Sequence, residues 1–226
     1  RSAPDRVVVG CSPEETGSTY DIEDALLRAA RRWSIRTIQV VEWWDSWYPR
    51  GDGTLADAYA ALDRMTAGVL MSRGVPAERI TVTGSPGLDG YAYLGVTDRD
   101  ARRHELGLEG ERLLAFYGQA PYPNGAPDSP TTLEWTVRAM RDNDRMVFCP
   151  HPRDTREYGA ILAIGGERVL RTSMTSDQML SAADLELSHY STMGLKADLL
   201  GIPTINFLLD DDFLDLKRLC GGFPLE

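Results

Sequence analysis

The side chains best suited to chemistry in this chain gather just beyond the ends of its apolar runs. In the second half these are Gly118 and Gln119 closing "RLLAFYGQ", His151 and Arg153 in "CPHPRD", and His189, Ser191, Thr192 and Gly194 in "SHYSTMG". Two of the three histidines belong to this set, while His104 lies in the charged stretch "DARRHELGL", where a solvated surface position is expected. In "HYSTMG" the hydroxyls of Ser191 and Thr192 and the N–H groups from Thr192 to Gly194 have the chemistry of an anion site at a helix N-terminus. The same residues also describe an ordinary N-cap. Gly194, ~1 kcal/mol worse than Ala in a helix, fits either close backbone approach or tight helix packing. "CPHPRD" holds an imidazole between two prolines, next to an arginine able to bind two phosphate oxygens in parallel. It also reads as a turn that ends a strand.

In the first half, "VEWWDSWYPR" sets Glu42 and Asp45 among tryptophans at a strand end. The carboxylates are candidate bases, and the tryptophans either stack on a sugar or base or plug a seam between lobes. No phosphate-loop fingerprint is present: "GQAPYPNGAPDSP" lacks the Gly-Lys-Ser/Thr ending of a Walker loop, and "VTGSPG" lacks the dinucleotide spacing. Cys11, Cys149 and Cys220 are far apart and not in metal-ligand spacing, so free thiols in a reducing cytoplasm are expected, with no metal and no cofactor.

These residues need elements to hold them. The chain has 226 residues, 42% of them hydrophobic, enough for a substantial core. A net charge of −10 argues against a sequence-independent nucleic-acid surface, and no run of ~18 apolar residues suggests a membrane span. The start "RSAPDRVVVG" does not read as a signal peptide; it enters a strand almost at once, as though the sequence begins inside a domain.

Short apolar runs then alternate with amphipathic stretches. Strands are expected over 5–12, 36–44, 59–63 and 79–89, with helices over 21–34 and 64–74 between them. After a turn-rich linker over 85–98 and a charged helix, strands are expected over 112–119, 145–152, 168–173, 184–191 and 203–210. Helices over 131–142, 156–166, 175–183 and 192–201 separate these. The fold class is therefore α/β, two Rossmann-like lobes with parallel sheets: an incomplete lobe over 1–90 and a fuller one over 91–226. In such folds ligands bind beyond the carboxyl ends of the strands.

Taken in order, these pieces resemble the GT-B superfamily, which includes nucleotide-sugar glycosyltransferases and UDP-GlcNAc 2-epimerases. "RITVTGSPGLD" looks like the end of the N-lobe, "CPHPRD" is similar to the His-Pro element of capsule and teichoic-acid transferases, and "SAADLELSHYSTMGLKADLLGIPTINF" resembles the late C-lobe segment. The resemblance implies that Gly118 and Gln119 line a cleft, that His151 contacts phosphate, and that Ser191, Thr192 and Gly194 cradle a diphosphate. It implies a glycosyltransferase acting on a nucleotide-activated sugar or polyol phosphate, or an epimerase, hydrolase or non-catalytic binding relative. The partner is then a small-molecule donor, with a homodimer as the expected assembly. His189 becomes a further phosphate or base candidate, and Lys196 stands where many relatives place a ribose-binding glutamate.

Overall fold

Apolar runs buried from both sides and joined by amphipathic segments fold as parallel strands with covering helices. The computed structural model describes residues 4–11, 22–42, 47, 49, 52–92, 98–119, 128–189 and 191–207. The chain divides into two compact units that part between Gly87 and Leu88.

In unit 1, β1 (Arg6–Val9), β2 (Arg36–Val41), β3 (Ala58–Ala61) and β4 (Ile80–Val82) form one parallel sheet in simple sequence order. Helix α1 (Ile22–Arg32) carries Glu23 and Asp24 in its first turn and Arg31 and Arg32 in its last, matching its dipole at both ends. Helix α2 (Arg64–Ser72) is capped by Asp63, whose carboxylate accepts from the Thr66 N–H at 2.7 Å. Leu27 and Leu70 from the two helices pack against Val9, Val41, Tyr59 and Ala61. The opposite face is more open: Val8 is 62% exposed. Trp47 is buried, donates its indole N–H to Gln39 Oε1 at 3.0 Å and meets Tyr59 edge-on. It therefore plugs the core of its own unit.

The strand expected over 79–89 stops at Val82, because Gly84 turns the backbone to φ 77° and Pro86 starts a helical turn, α3 (Pro86–Asp89). A 3₁₀ turn over Gly90–Ala92 follows, so the expected linker is partly helical. Tyr91 in that turn is buried and lies under the Lys196 ammonium, 4.8 Å from the ring centre.

Unit 2 holds β5 (Arg112–Tyr117), β6 (Asp144–Cys149), β7 (Val169–Leu170), β8 (Leu185–Ser188) and β9 (Thr204–Asn206). All pair in parallel, in the order β7-β6-β5-β8-β9. The chain thus winds outward from β5 to β7, then returns and winds the other way through β8 to β9. Helices α5 (Ser129–Ala139) and α6 (Gly159–Gly165) cover the face bearing Leu114, Phe116, Met146 and Leu187. Helices α7 (Ser176–Ala182) and α8 (Thr192–Leu199) cover the face bearing Leu113, Ala115, Tyr117 and Val147. Helix α4 (Arg99–Glu105) is held to this unit by Arg99 and Arg103, both paired with Asp184. Among the described residues, no helix is long and apolar enough to cross a membrane.

Candidate functional site

A parallel sheet whose strand order reverses leaves a crevice at the reversal, because the connections on its two sides depart to opposite faces. In unit 2 the reversal lies between β5 and β8, with Gly118–Gln119 leaving one lip and Ser188, His189 and Ser191–Gly194 on the other. The described strands of unit 1 run in sequence order and contain no such reversal.

On the β5 lip, the Gly118 N–H donates to Cys149 O at 2.9 Å. A side chain there would meet Phe148 at 3.2 Å and the Pro150 backbone at 3.5 Å, so the position needs glycine for close approach. Gln119 is fixed by Ser129, whose hydroxyl accepts its N–H at 3.1 Å and donates to its carbonyl at 3.0 Å. Arg156 also donates to that carbonyl, and it grips Asp154 through one guanidinium edge, Nε and Nη2 donating to the two carboxylate oxygens at 2.8 and 2.7 Å. Tyr158 donates its phenol to the same carboxylate. With the Arg156 guanidinium bonded to it, the Asp154 carboxyl is held down to about 2 despite burial.

His151 lies two residues past the end of β6 and is half-buried. Its Nδ1 accepts the Arg153 N–H at 3.1 Å, and its carbonyl accepts from Asp154 N. A neutral ring bonded this way carries its proton on Nε2, leaving that N–H as a donor. Arg153 is exposed beside it. Strands β6 and β8 flank β5, so their ends lie roughly 10 Å apart, two strand spacings.

On the β8 lip, Ser191 is the N-cap of α8: its hydroxyl oxygen accepts the Met193 N–H at 3.1 Å, and its carbonyl accepts the Gly194 N–H at 3.2 Å. The Ser191 hydroxyl proton remains available as a donor. The Thr192 N–H and exposed hydroxyl have no partner among the described residues. The cap and the anion site are therefore not exclusive, but the cap takes two of the N–H groups expected to serve an anion. Gly194 packs closely over the sheet, where a Cβ would lie 3.3 Å from Thr204 Cγ2 and 3.5 Å from Asn206 Oδ1.

His189 is placed differently from the expectation. It is 1% exposed, packed against Phe116 and Phe207, with Nε2 3.1 Å from the Thr132 hydroxyl. Burial, reinforced by the charge of Arg156, pushes its pKa down to about 4, so the ring is neutral near pH 7. A ring enclosed in this way does not reach a phosphate or an acceptor, and its role is to fill the wall between β8 and α5. The signal was present in the alternation Leu185, Leu187, His189, which continues an apolar stripe.

Lys196 is also committed, bonded to Asp177 at 2.9 Å and seated over Tyr91. Glu42 is exposed just beyond the end of β2, and Asp45 lies outside the described residues. His104 is on the surface, as expected. Sequence reading singled out Arg153 and passed over Asp154, Arg156 and Ser129, although "PRDTRE" carries an Asp-x-Arg spacing suited to an ion-paired turn. A cavity of about 450 Å³ opens in unit 1 near Arg31, Arg36, Asp57 and Arg79. It sits at the amino ends of β2 and β3, and none of the expected site residues lines it. No group of three or more His, Cys, Asp or Glu placed to hold a metal occurs among the described residues.

No protein-family model matches the chain, and no curated protein matches it. Solved structures do. UDP-GlcNAc 2-epimerase from Neisseria meningitidis, bound to UDP-GlcNAc, superposes with a TM-score of 0.65 at 13% identity, over 95% of this chain and 62% of that one. At this identity the likeness is one of fold, the two-unit parallel-sheet arrangement of the GT-B type. HepE from Anabaena, in complex with UDP-glucose, matches at TM-score 0.51 and 12% identity, over 81% of this chain and 56% of that one. The wall teichoic acid polymerase TagF matches at 0.50 and 13%, over 92% and 55%. This chain spans between 55% and 62% of the length of these three proteins.

Proposed function

We propose that this chain binds the diphosphate of a nucleotide-activated sugar or polyol phosphate at the strand reversal of unit 2 and serves its transfer to an acceptor hydroxyl. The observation that carries this reading is the placement of unspent donors at the reversal. The Thr192 N–H and hydroxyl and the Ser191 hydroxyl proton sit on one lip, and the His151 Nε2–H lies beyond the neighbouring strand end. Such donors, fixed before the reaction, stabilise a departing diphosphate without waiting for solvent to reorganise. Arg153 adds a cation at the same end of the sheet, and Gly118 and Gln119 shape its floor. The acceptor hydroxyl needs a base, and Glu42 and Asp45 are the carboxylates assigned to that role. The donor is a substrate, and the scheme uses no metal or further cofactor. The UDP-sugar complexes among the similar structures support this ligand class.

A second reading, epimerisation or hydrolysis of a UDP-sugar at the same site, is favoured by the epimerase giving the higher of the TM-scores quoted above. The two share the diphosphate cradle and differ in product. The test is a thermal-shift panel of nucleoside diphosphates and nucleotide sugars, followed by product analysis with any that bind. A rise in Tm with at least one of them, lost in His151→Ala and Ser191→Ala, is expected. No shift from any of them overturns the reading.

A further inference from the structure

Strand β8 lies inside the sheet, between β5 and β9, yet its second residue is a carboxylic acid. Glu186 is 0% exposed, and neither carboxyl oxygen has a hydrogen-bond partner. A buried acid without a partner is costly, and native proteins keep few of them.

Its position gives it a use. Glu186 is in register with Ala115 on β5 and Thr204 on β9, and it faces α7 and α8. Directly above it is Gly194, in the first turn of α8, where a Cβ would lie 3.7 Å from Glu186 Oε2. The carboxyl thus sits beneath the turn whose outer side carries Thr192.

The surroundings supply no counter-charge. The titratable and charged groups on this side of the sheet are Tyr117 from β5, Cys149 from β6, Asp177 from α7, Lys196 from α8 and Tyr91 from the turn before α4. Lys196 and Asp177 are paired with each other at 2.9 Å. Tyr117 donates to Ser176 O at 2.8 Å, and burial pushes its phenol well above the usual range, so it stays neutral. The Cys149 thiol lies 3.1 Å from the Ser176 hydroxyl. Burial raises the Glu186 carboxyl to about 7, although the nearby Ser188 and Thr204 hydroxyls favour its ionised form.

We propose that Glu186 makes anion binding at the N-terminus of α8 proton-linked: the neutral acid accepts a diphosphate over the first turn, and the ionised acid repels it. Binding then takes a proton from solvent onto a Glu186 oxygen, and affinity falls as pH rises through neutrality. The proposal rests on the diphosphate reading above and adds a sign and a residue to it.

The experiment is calorimetric titration of the full chain with inorganic pyrophosphate and with UDP between pH 5.5 and 8.5, at fixed ionic strength. Wild type is compared with Glu186→Gln, a close isostere of the neutral acid. The expected result is equal affinity at pH 5.5 and about tenfold weaker binding by wild type than by the variant at pH 8.5, the scale of one unit charge acting across about 12 Å at an effective dielectric constant of ~20. Wild type near pH 7 should also take up protons on binding, seen as a heat that changes with the ionisation enthalpy of the buffer. That measurement stands even if the variant folds poorly. Parallel pH profiles in the two proteins, or no proton uptake by wild type, overturn the proposal while leaving the diphosphate reading intact. Absence of binding at every pH in both proteins overturns both.

Discussion

The two ends of the unit 2 sheet use similar side chains to opposite effect. At the amino ends of the strands every acid described above is paired. Asp144 takes Arg112 through both oxygens, at 2.8 and 3.0 Å, and the Arg141 N–H as well. Asp184 takes Arg99, Arg103 and the Leu113 N–H. Further along, Glu186, the second residue of β8, is buried without a partner beneath the first turn of α8, and beyond the carboxyl ends Thr192 keeps an open donor. One end closes the structure, and the other holds donors and a proton in reserve. The reserve falls where the strand order reverses, which is where an α/β sheet opens to a ligand.

The sharpest way to break this contrast is at the closed end. Asp144→Ala should cost about 2 kcal/mol, less than a fully buried pair because Arg112 is 43% exposed. Urea unfolding would show it, with nucleotide thermal shifts unchanged in size. The pH dependence has a definite sign: burial opposes ionisation of Asp144, but the Arg112 and Arg141 bonds outweigh it and lower its pKa. Its contribution is present above the ordinary carboxyl range and is lost as the solution becomes acid. If Asp144→Ala abolished ligand response in a folded protein, the two ends would not be separable.

Glu186 should behave in the opposite sense. Its carboxyl holds a proton up to about pH 7 when folded, against an ordinary value of 4.5. Between those values the folded state binds more protons than the unfolded one, so this group makes stability fall as pH rises through that window. The slope is at most roughly 1.4 kcal/mol per pH unit. Glu186→Gln should remove that slope and gain stability at pH 8 relative to wild type. Urea midpoints at pH 5 and pH 8 decide it, and identical pH dependence in the two proteins would show that Glu186 does not titrate there.

Much of this was legible in the sequence, for a physical reason. Alternation of short apolar runs with amphipathic stretches is imposed by parallel sheets covered on both faces, so the order of strands and helices could be read directly. Gly118, Gln119, His151 and Ser191 stand at strand ends or at the next helix start because the chain must turn there. What could not be read is set by tertiary pairing. The reversal between β5 and β8 depends on which strands pair, and that β9 lies outside β8 turns Glu186 from an edge residue into an interior one. Ser191 also spends its oxygen on Met193, a geometry that the run "HYSTMG" leaves open. The inward turn of His189 was the missed opportunity, since strand parity alone puts it with Leu185 and Leu187.

At the open end, His151→Ala should weaken pyrophosphate binding about tenfold, the typical worth of one charge-assisted donor, with little change in stability because the ring is half-buried in a turn. Calorimetric Kd values set against urea midpoints separate the two effects. A stability loss with unchanged affinity would return His151 to the role of a strand-ending turn.

The smallest effect tests where the open end stops. Lys196 is on α8, only a turn beyond Thr192, and as a free cation it would be an obvious anion ligand. It is instead held by Asp177 and Tyr91, with its side chain 21% exposed and that of Asp177 48% exposed. An ion pair this accessible is worth under about 1 kcal/mol, so Lys196→Ala should barely move the urea midpoint. If the pair holds in solution, pyrophosphate affinity should also stay within about twofold, once diluted charge is allowed for by repeating the titration at higher salt. A tenfold loss that persists in salt would mean that the ammonium leaves Asp177 to meet the anion. The paired residues would then belong to the site, and the boundary between the closed and open regions would lie one helical turn further along α8.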